Sequence, residues 1–321
     1  MKVLTITVNP ALDLTAVVHS FHAGGVNRIH SHQEDAGGKG VNVASFLADF
    51  KVPVVASGFL GEENDQAFIN LFAEKAIDNA FIAVKGRTRS NIKLIDESLG
   101  SQGITDINFP GFQVSSEDWQ AFEQKLPSLA SQVSYAVISG SLPEGLGPDH
   151  YKRLIAALKA LGVKVAVDTS GKALEAALLS QPHCIKPNEY ELSEALGRDI
   201  LSEADALRAA RELNAKGIET VIVSMGAKGA LFCRKDEAIF ASPPETVVKS
   251  TVGAGDAMLA GYILGSLREL NLEGIAKLAT AFSVAAITVL GPRLPSSDLV
   301  EASVSKVHCR RVTADSVNVR N

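Results

Sequence analysis

Thr251-Val252-Gly253-Ala254-Gly255-Asp256 runs straight into Ala257-Met258-Leu259-Ala260-Gly261-Tyr262-Ile263, a glycine turn that opens an apolar helix. Gly253 and Gly255 let the chain turn tightly and expose its N–H groups. The start of a helix gathers unpaired amide donors and the positive end of the macrodipole, so it suits a phosphoryl group that collects negative charge during transfer. Asp256 at that mouth is either a helix cap or a base facing the phosphate, and the glycines beside it favour the second role. The spacing places Leu259, Tyr262, Ile263, Leu267 and Leu270 on the inward face of the helix.

Around this stretch, short β-rich runs alternate with helical patterns. Strands are expected at 3–8, 54–59, 135–139, 163–168, 220–224 and 230–233, and helices at 41–50, 65–76, 119–129, 148–161, 203–216 and 273–289. That rhythm specifies an α/β fold with a mainly parallel sheet covered by helices on both faces, whose ligands collect at the carboxyl ends of the strands. Two segments break it. The stretch 15–35 is polar and β-like, and 90–96 with 105–109 flank a turn-rich connection and read as a hairpin. Extra strands of this kind form a separate small sheet, useful as a lid or a dimer surface. The polar stretch 313–321 is expected to fray.

At 321 residues, 46% hydrophobic and 21% charged, the chain has ample material for a core. A net charge of −5 argues against a general nucleic-acid binder, and no run is long enough for a membrane span. The N-terminus reads as a first strand with no signal-peptide pattern. Cys184, Cys233 and Cys309 are odd in number, widely spaced and without metal spacing, as expected of thiols in a reducing cytoplasm.

The remaining motifs each carry two readings. Asp35-Ala36-Gly37-Gly38-Lys39-Gly40-Val41-Asn42 is a second anion-friendly helix start, or a tight turn with a surface lysine. Asn9-Pro10-Ala11-Leu12-Asp13 ends the first strand, where Asp13 could bind sugar hydroxyls or serve a turn. Arg87 and Arg89 precede the hairpin as phosphate ligands or as solvated loop residues. Ile185-Lys186-Pro187-Asn188-Glu189-Tyr190-Glu191 offers hard oxygen ligands for magnesium through water, or a capping box of Asn188 with Glu191; both can hold together. Ser224-Met225-Gly226-Ala227-Lys228-Gly229 could admit nucleotide phosphates or simply turn a hairpin. His30 and His32 share one side of an expected strand, but no third ligand has obvious spacing, which leaves a metal site there disfavoured. No Walker motif and no dinucleotide fingerprint is present.

Taken in order, these motifs resemble the ribokinase-like family of carbohydrate kinases, of the phosphofructokinase-B type, over nearly the whole chain. The resemblance implies a three-layer sandwich forming one kinase domain over 1–321, with lid segments at about 14–36 and 87–110, acting with ATP and Mg2+ on a sugar phosphate. Within the family, 86–94 and 105–112 look most like the members that phosphorylate fructose 1-phosphate on its 6-hydroxyl. Kinases of tagatose 6-phosphate and fructose 6-phosphate share the glycine motifs but less of the hairpin. By this resemblance Asp256 is the catalytic base, and Gly253, Ala254 and Gly255 form the anion hole. Asp13, Gly37, Gly38, Lys39, Asn42 and Arg89 line the sugar-phosphate pocket. Ser224, Gly226, Gly229, Thr251 and Gly255 meet the nucleotide, and Asn188 and Glu191 support magnesium. It also implies a homodimer joined through the lid.

Overall fold

The structure, a computed structural model, describes residues 1–313, so the fraying expected of the polar tail falls, beyond Thr313, outside the described residues. Two sheets organise those residues, one of 11 strands and one of four. In the large sheet, Lys2–Thr7 lies parallel between Val54–Gly61 and Val133–Ser139. Lys164–Asp168, Cys184–Ile185 and Thr220–Ser224 continue the parallel order, and Ala230–Cys233, Ala238–Ser242 and His308–Arg311 close it as antiparallel strands.

The central strands are buried on both faces, which is why they read as nearly unbroken apolar runs. Their side chains alternate between two cores. Val3, Val137 and Ala166 face the helices Lys39–Asp49, Ala254–Leu267 and Leu272–Ala286. Leu4, Ile138, Val165 and Val167 face Trp119, Phe122, Tyr151 and Leu154 of Ser116–Ala130 and Pro148–Ala160. A third cluster seats Glu189–Leu196 and Glu203–Ala215 on the antiparallel end. Helices thus cover both sides, and the three layers match the expected fold class.

Three expectations are corrected. The helix Ala254–Leu267 is buried all round from Asp256 to Gly265, because Leu272–Ala286 packs on its second side so closely that Gly261 lies against Ala279. Leu267 is the last residue of that helix, and Leu270 lies beyond its end, 38% exposed. Asp13 does not end the first strand; the chain leaves the large sheet after Thr7, and Asp13 sits inside Ala11–Val18 of the small sheet. His30 precedes the strand Ser31–Gly37 that carries His32, so the two do not share a strand face.

The small sheet runs Ser31–Gly37, Ala11–Val18, Arg89–Asp96 and Ile104–Asn108, with the middle pair parallel. The last two strands form the expected hairpin, and Arg89 opens its strand rather than lying on a loop. Trp119 is buried, as expected, against Phe59 and Phe122.

Candidate active site

Gly253 caps the helix Ala254–Leu267 with a left-handed φ of 77°, a conformation that glycine adopts without steric cost, and as a glycine it offers the first turn no side-chain cap. Apart from Ala254 N, which makes a long 3.4 Å contact to Thr251 O, the first-turn amides stay available at the carboxyl edge of the parallel sheet. Asp256, in that turn, is buried, and its Oδ2 accepts a 2.7 Å hydrogen bond from Asn42 Nδ2. Asn42 comes from Lys39–Asp49, whose cap is Gly38 with φ 111°, while Gly37 ends the preceding strand against the Asp13 carboxylate.

Asp168, the last residue of Lys164–Asp168, is fully buried between two lysines. Lys39 Nζ lies 2.9 Å from its Oδ1, and Lys186 Nζ lies 3.0 Å from its Oδ2. Burial opposes ionisation of Asp168, but Lys186 and Lys39 outweigh it and hold the carboxyl below its usual range. Burial disfavours the charge on Lys39 as well, yet Asp168, Asp256 and Glu191 together raise its affinity for the proton. Asp256 is pushed the other way. Burial first, then the Asp168 charge, lift it to about 6 against the pull of Lys39, Asn42 and Lys186. It remains ionised at neutral pH and is a stronger base than a solvated aspartate. Lys186 also stands over the helix start, since a side-chain carbon at 255 would lie 3.1 Å from its Nζ.

Facing this edge is the small sheet. Its register aligns Asp13, Asn91 and Asn108, and next to them Thr15, Lys93 and Asp106. Asn91 Nδ2 donates to Asp13 Oδ1 at 2.9 Å, and burial raises the Asp13 carboxyl although Asn91 and Arg89 pull it down. Arg89 points from the same face; its Nε is buried without a hydrogen-bond partner among the described residues, and burial lowers its proton affinity despite Asp13. A buried guanidinium nitrogen left open in this way is suited to an anion. A cavity of about 260 Å³ separates this face from Thr251 and Pro292.

Asp256, Asn42, Lys39, Gly253 and Gly255 are thus brought together, with Asp13, Arg89 and Gly37 on the opposing sheet. Asn188 and Glu191 form the capping box, Asn188 Oδ1 accepting from Glu191 N at 2.8 Å and Glu191 Oε2 from Asn188 N at 2.9 Å. Glu191 Oε1 remains 4.0 Å from Lys39 Nζ, so the pair also reaches the charged cluster. Ser224 ends its strand in a bridge to Asn188, and Gly226 and Gly229 turn the chain into the antiparallel strand Ala230–Cys233. Thr251 is exposed on the cavity wall beneath the small sheet. Arg87 lies on the surface, 3.8 Å from Glu63.

Two members of the cluster escaped the sequence reading. Asp168 read only as the end of a strand and Lys186 only as part of the Asn188 motif. The signal was there in retrospect: each charged residue directly ends or follows an apolar parallel strand, where ligands gather.

The model for pfkB family carbohydrate kinases matches residues 6–299. A 1-phosphofructokinase of Rhodobacter capsulatus is 43% identical over 303 residues, covering 94% of this chain and 95% of that one. One from Vibrio cholerae is 42% identical over 290 residues, covering 90% of each. Among solved structures, phosphofructokinase-2 from Escherichia coli in complex with potassium superposes with a TM-score of 0.86 at 29% identity, covering 95% of this chain and 98% of that one. Kinases of this family use ATP, and the chain belongs to it: it is a pfkB family carbohydrate kinase, an enzyme that phosphorylates a sugar phosphate.

Proposed function

We propose that the enzyme transfers the γ-phosphoryl group of magnesium-ATP to the 6-hydroxyl of fructose 1-phosphate, giving ADP and fructose 1,6-bisphosphate. The observation that carries this reading is Asp256, a buried carboxylate of raised basicity in the first turn of a helix capped only by a glycine, flanked by two lysines. Asp256 orients the acceptor hydroxyl and takes its proton as the new O–P bond forms. The amides of Gly253, Ala254 and Gly255, helped by Lys186, hold the charge that develops on the moving group. Asn42 keeps one carboxylate oxygen fixed so that the other faces the alcohol. Asp13 and Asn91 hold sugar hydroxyls, and Arg89 and Lys39 supply cations for the sugar's own phosphate. ATP lies across Ser224, Gly226 and Gly229, with Thr251 at its phosphate end.

Magnesium fits the Asn188–Glu191 pair through water: the cap occupies Asn188 Oδ1 and Glu191 Oε2, and Glu191 Oε1 is left to receive a metal-bound water. When bound, the ion neutralises charge on the nucleotide phosphates.

Support for fructose 1-phosphate comes from the names of the curated relatives and from the resemblance of 86–94 and 105–112. The small sheet serves as lid and as the seat of a homodimer. Opposite its polar face, Leu14, Ile92 and Ile107 align across three strands, with Ile107 44% and Phe109 49% exposed. A second copy packing there would remove this apolar surface from water. The reading includes a cytoplasmic location, which the free thiols of Cys184, Cys233 and Cys309 support; no helix among the described residues is long and apolar enough to cross a membrane. The test is a side-by-side assay of fructose 1-phosphate, fructose 6-phosphate and tagatose 6-phosphate with magnesium-ATP. We expect kcat/KM to favour fructose 1-phosphate by at least about tenfold, or roughly 1.4 kcal/mol. Equal or better turnover of either 6-phosphate overturns the substrate assignment.

A further inference from the structure

We propose a binding site for a late first-row divalent cation of the zinc class at His19, His30 and Glu97, at the end of the small sheet remote from Asp13. Four of the seven histidines of the chain fall between positions 19 and 32. The fold draws two of them onto one carboxylate. His19 Nδ1 lies 2.8 Å and His30 Nε2 3.1 Å from the same Glu97 oxygen, and the two rings stack with centroids 4.1 Å apart. All three ligand atoms lie within 4.8 Å of one another.

The backbone that carries them is pinned. His30 N donates to Val17 O, Ser98 N to His19 O, and Phe21 N to the Asp96 carboxylate, which also caps the turn at Ser98. The ends of three neighbouring strands therefore hold the backbone of the three residues in place, and only side-chain rotation is needed to admit an ion. Two imidazoles and a carboxylate, with water in the fourth position, is a donor set that suits Zn2+ at bond lengths of about 2.0–2.2 Å. Reaching the ligand spacing of a tetrahedral ion takes side-chain rotation, with one ring turned out of the stack. His22 and His32 are exposed in the same region but stand outside the triad, and they serve as internal controls.

The strand from Asp13 to Val18 puts this cluster roughly 17 Å from the sugar face. A bound ion would tie the connection 19–30 to the hairpin turn without touching the reacting groups. The proposal is independent of the reading of Asp256.

The test uses the full chain without a histidine tag, stripped with chelator and titrated with Zn2+ by calorimetry and with Co2+ by visible absorbance. We expect one ion per chain, the absorption of a four-coordinate Co2+, and binding weakened at least about tenfold by each of His19→Ala, His30→Ala and Glu97→Gln. His22→Ala and His32→Ala should leave it unchanged. All the substituted residues are exposed, and circular dichroism checks that each variant is folded. Absence of uptake at micromolar metal overturns the site, as does binding that survives the three substitutions or follows His22 and His32 instead.

Discussion

The two sheets of this enzyme handle charge in opposite ways. At the carboxyl edge of the large sheet, Asp168, Lys39, Lys186 and Asp256 are packed together, and Asp168 is held ionised by its lysines while Asp256 is left with a cost. On the small sheet, Arg89 keeps an open buried nitrogen, Lys93 and Asp106 pair loosely at 3.4 Å near solvent, and the other face is apolar and half-exposed. The first region is preorganised for a reaction. The second, on the function proposed above, is completed by other molecules: a sugar phosphate on one face and a second chain on the other.

The sharpest way to break this contrast is Asp256→Asn. If the raised basicity is used in the reaction, turnover should fall on the order of 10³–10⁴-fold with ATP affinity nearly unchanged. Stability should move the other way. The folded carboxyl holds its proton up to about pH 6, whereas the unfolded one, with an ordinary value of 3.8, has released it. Stability therefore falls as pH rises through that window, and the full cost of the buried charge is present above it. The amide avoids that cost, so Asp256→Asn should be more stable by about 1–3 kcal/mol at pH 8 and show almost no gain at pH 4, read by denaturant melts. A variant that loses activity and stability together would point to a structural aspartate.

Lys186→Met tests the other half of the buried edge. Loss of a cation over the helix start should lower kcat by about 10²–10³-fold, more than it raises either Michaelis constant. An effect confined to the ATP constant would make Lys186 a nucleotide anchor only. On the small sheet, Arg89→Ala should chiefly raise the sugar-phosphate Michaelis constant, by about 10–100-fold; an unchanged constant removes Arg89 from the pocket. The mildest effect on chemistry belongs to Ile107→Asp, on the apolar face. Light scattering should show this variant as a single chain where the parent is a dimer, with kcat within about threefold. A parent that is already monomeric would contradict the dimer seat.

The same contrast explains what could be read from the sequence. Gly253, Gly255 and Asp256 were legible as a candidate site because turn, helix start and carboxylate are contiguous, and Gly38 and Asn42 because a glycine turn opens a second helix there. The β–α rhythm was legible because strands buried on both faces are apolar without interruption. Asp168 and Lys186 were not, since nothing local marks them: they meet only because Lys164–Asp168 and Cys184–Ile185 are adjacent in the sheet. Asp13 lies one strand later than the local sequence suggests, because between Thr7 and Ala11 the chain crosses to the other sheet. The all-round burial from Asp256 to Gly265 was likewise hidden, because the second partner, Leu272–Ala286, packs against Gly261 and Gly265, outside the inward positions that the spacing marks.

The most direct measurement is a crystal structure with fructose 1-phosphate and a non-hydrolysable ATP analogue bound together. We expect one Asp256 oxygen within about 2.6–3.2 Å of the sugar 6-hydroxyl, with the γ-phosphate of the analogue against the amides of Gly253–Gly255. A 6-hydroxyl lying against some other group, with the Asp256 carboxylate turned away and still bound only to Asn42, would contradict the assignment of the base.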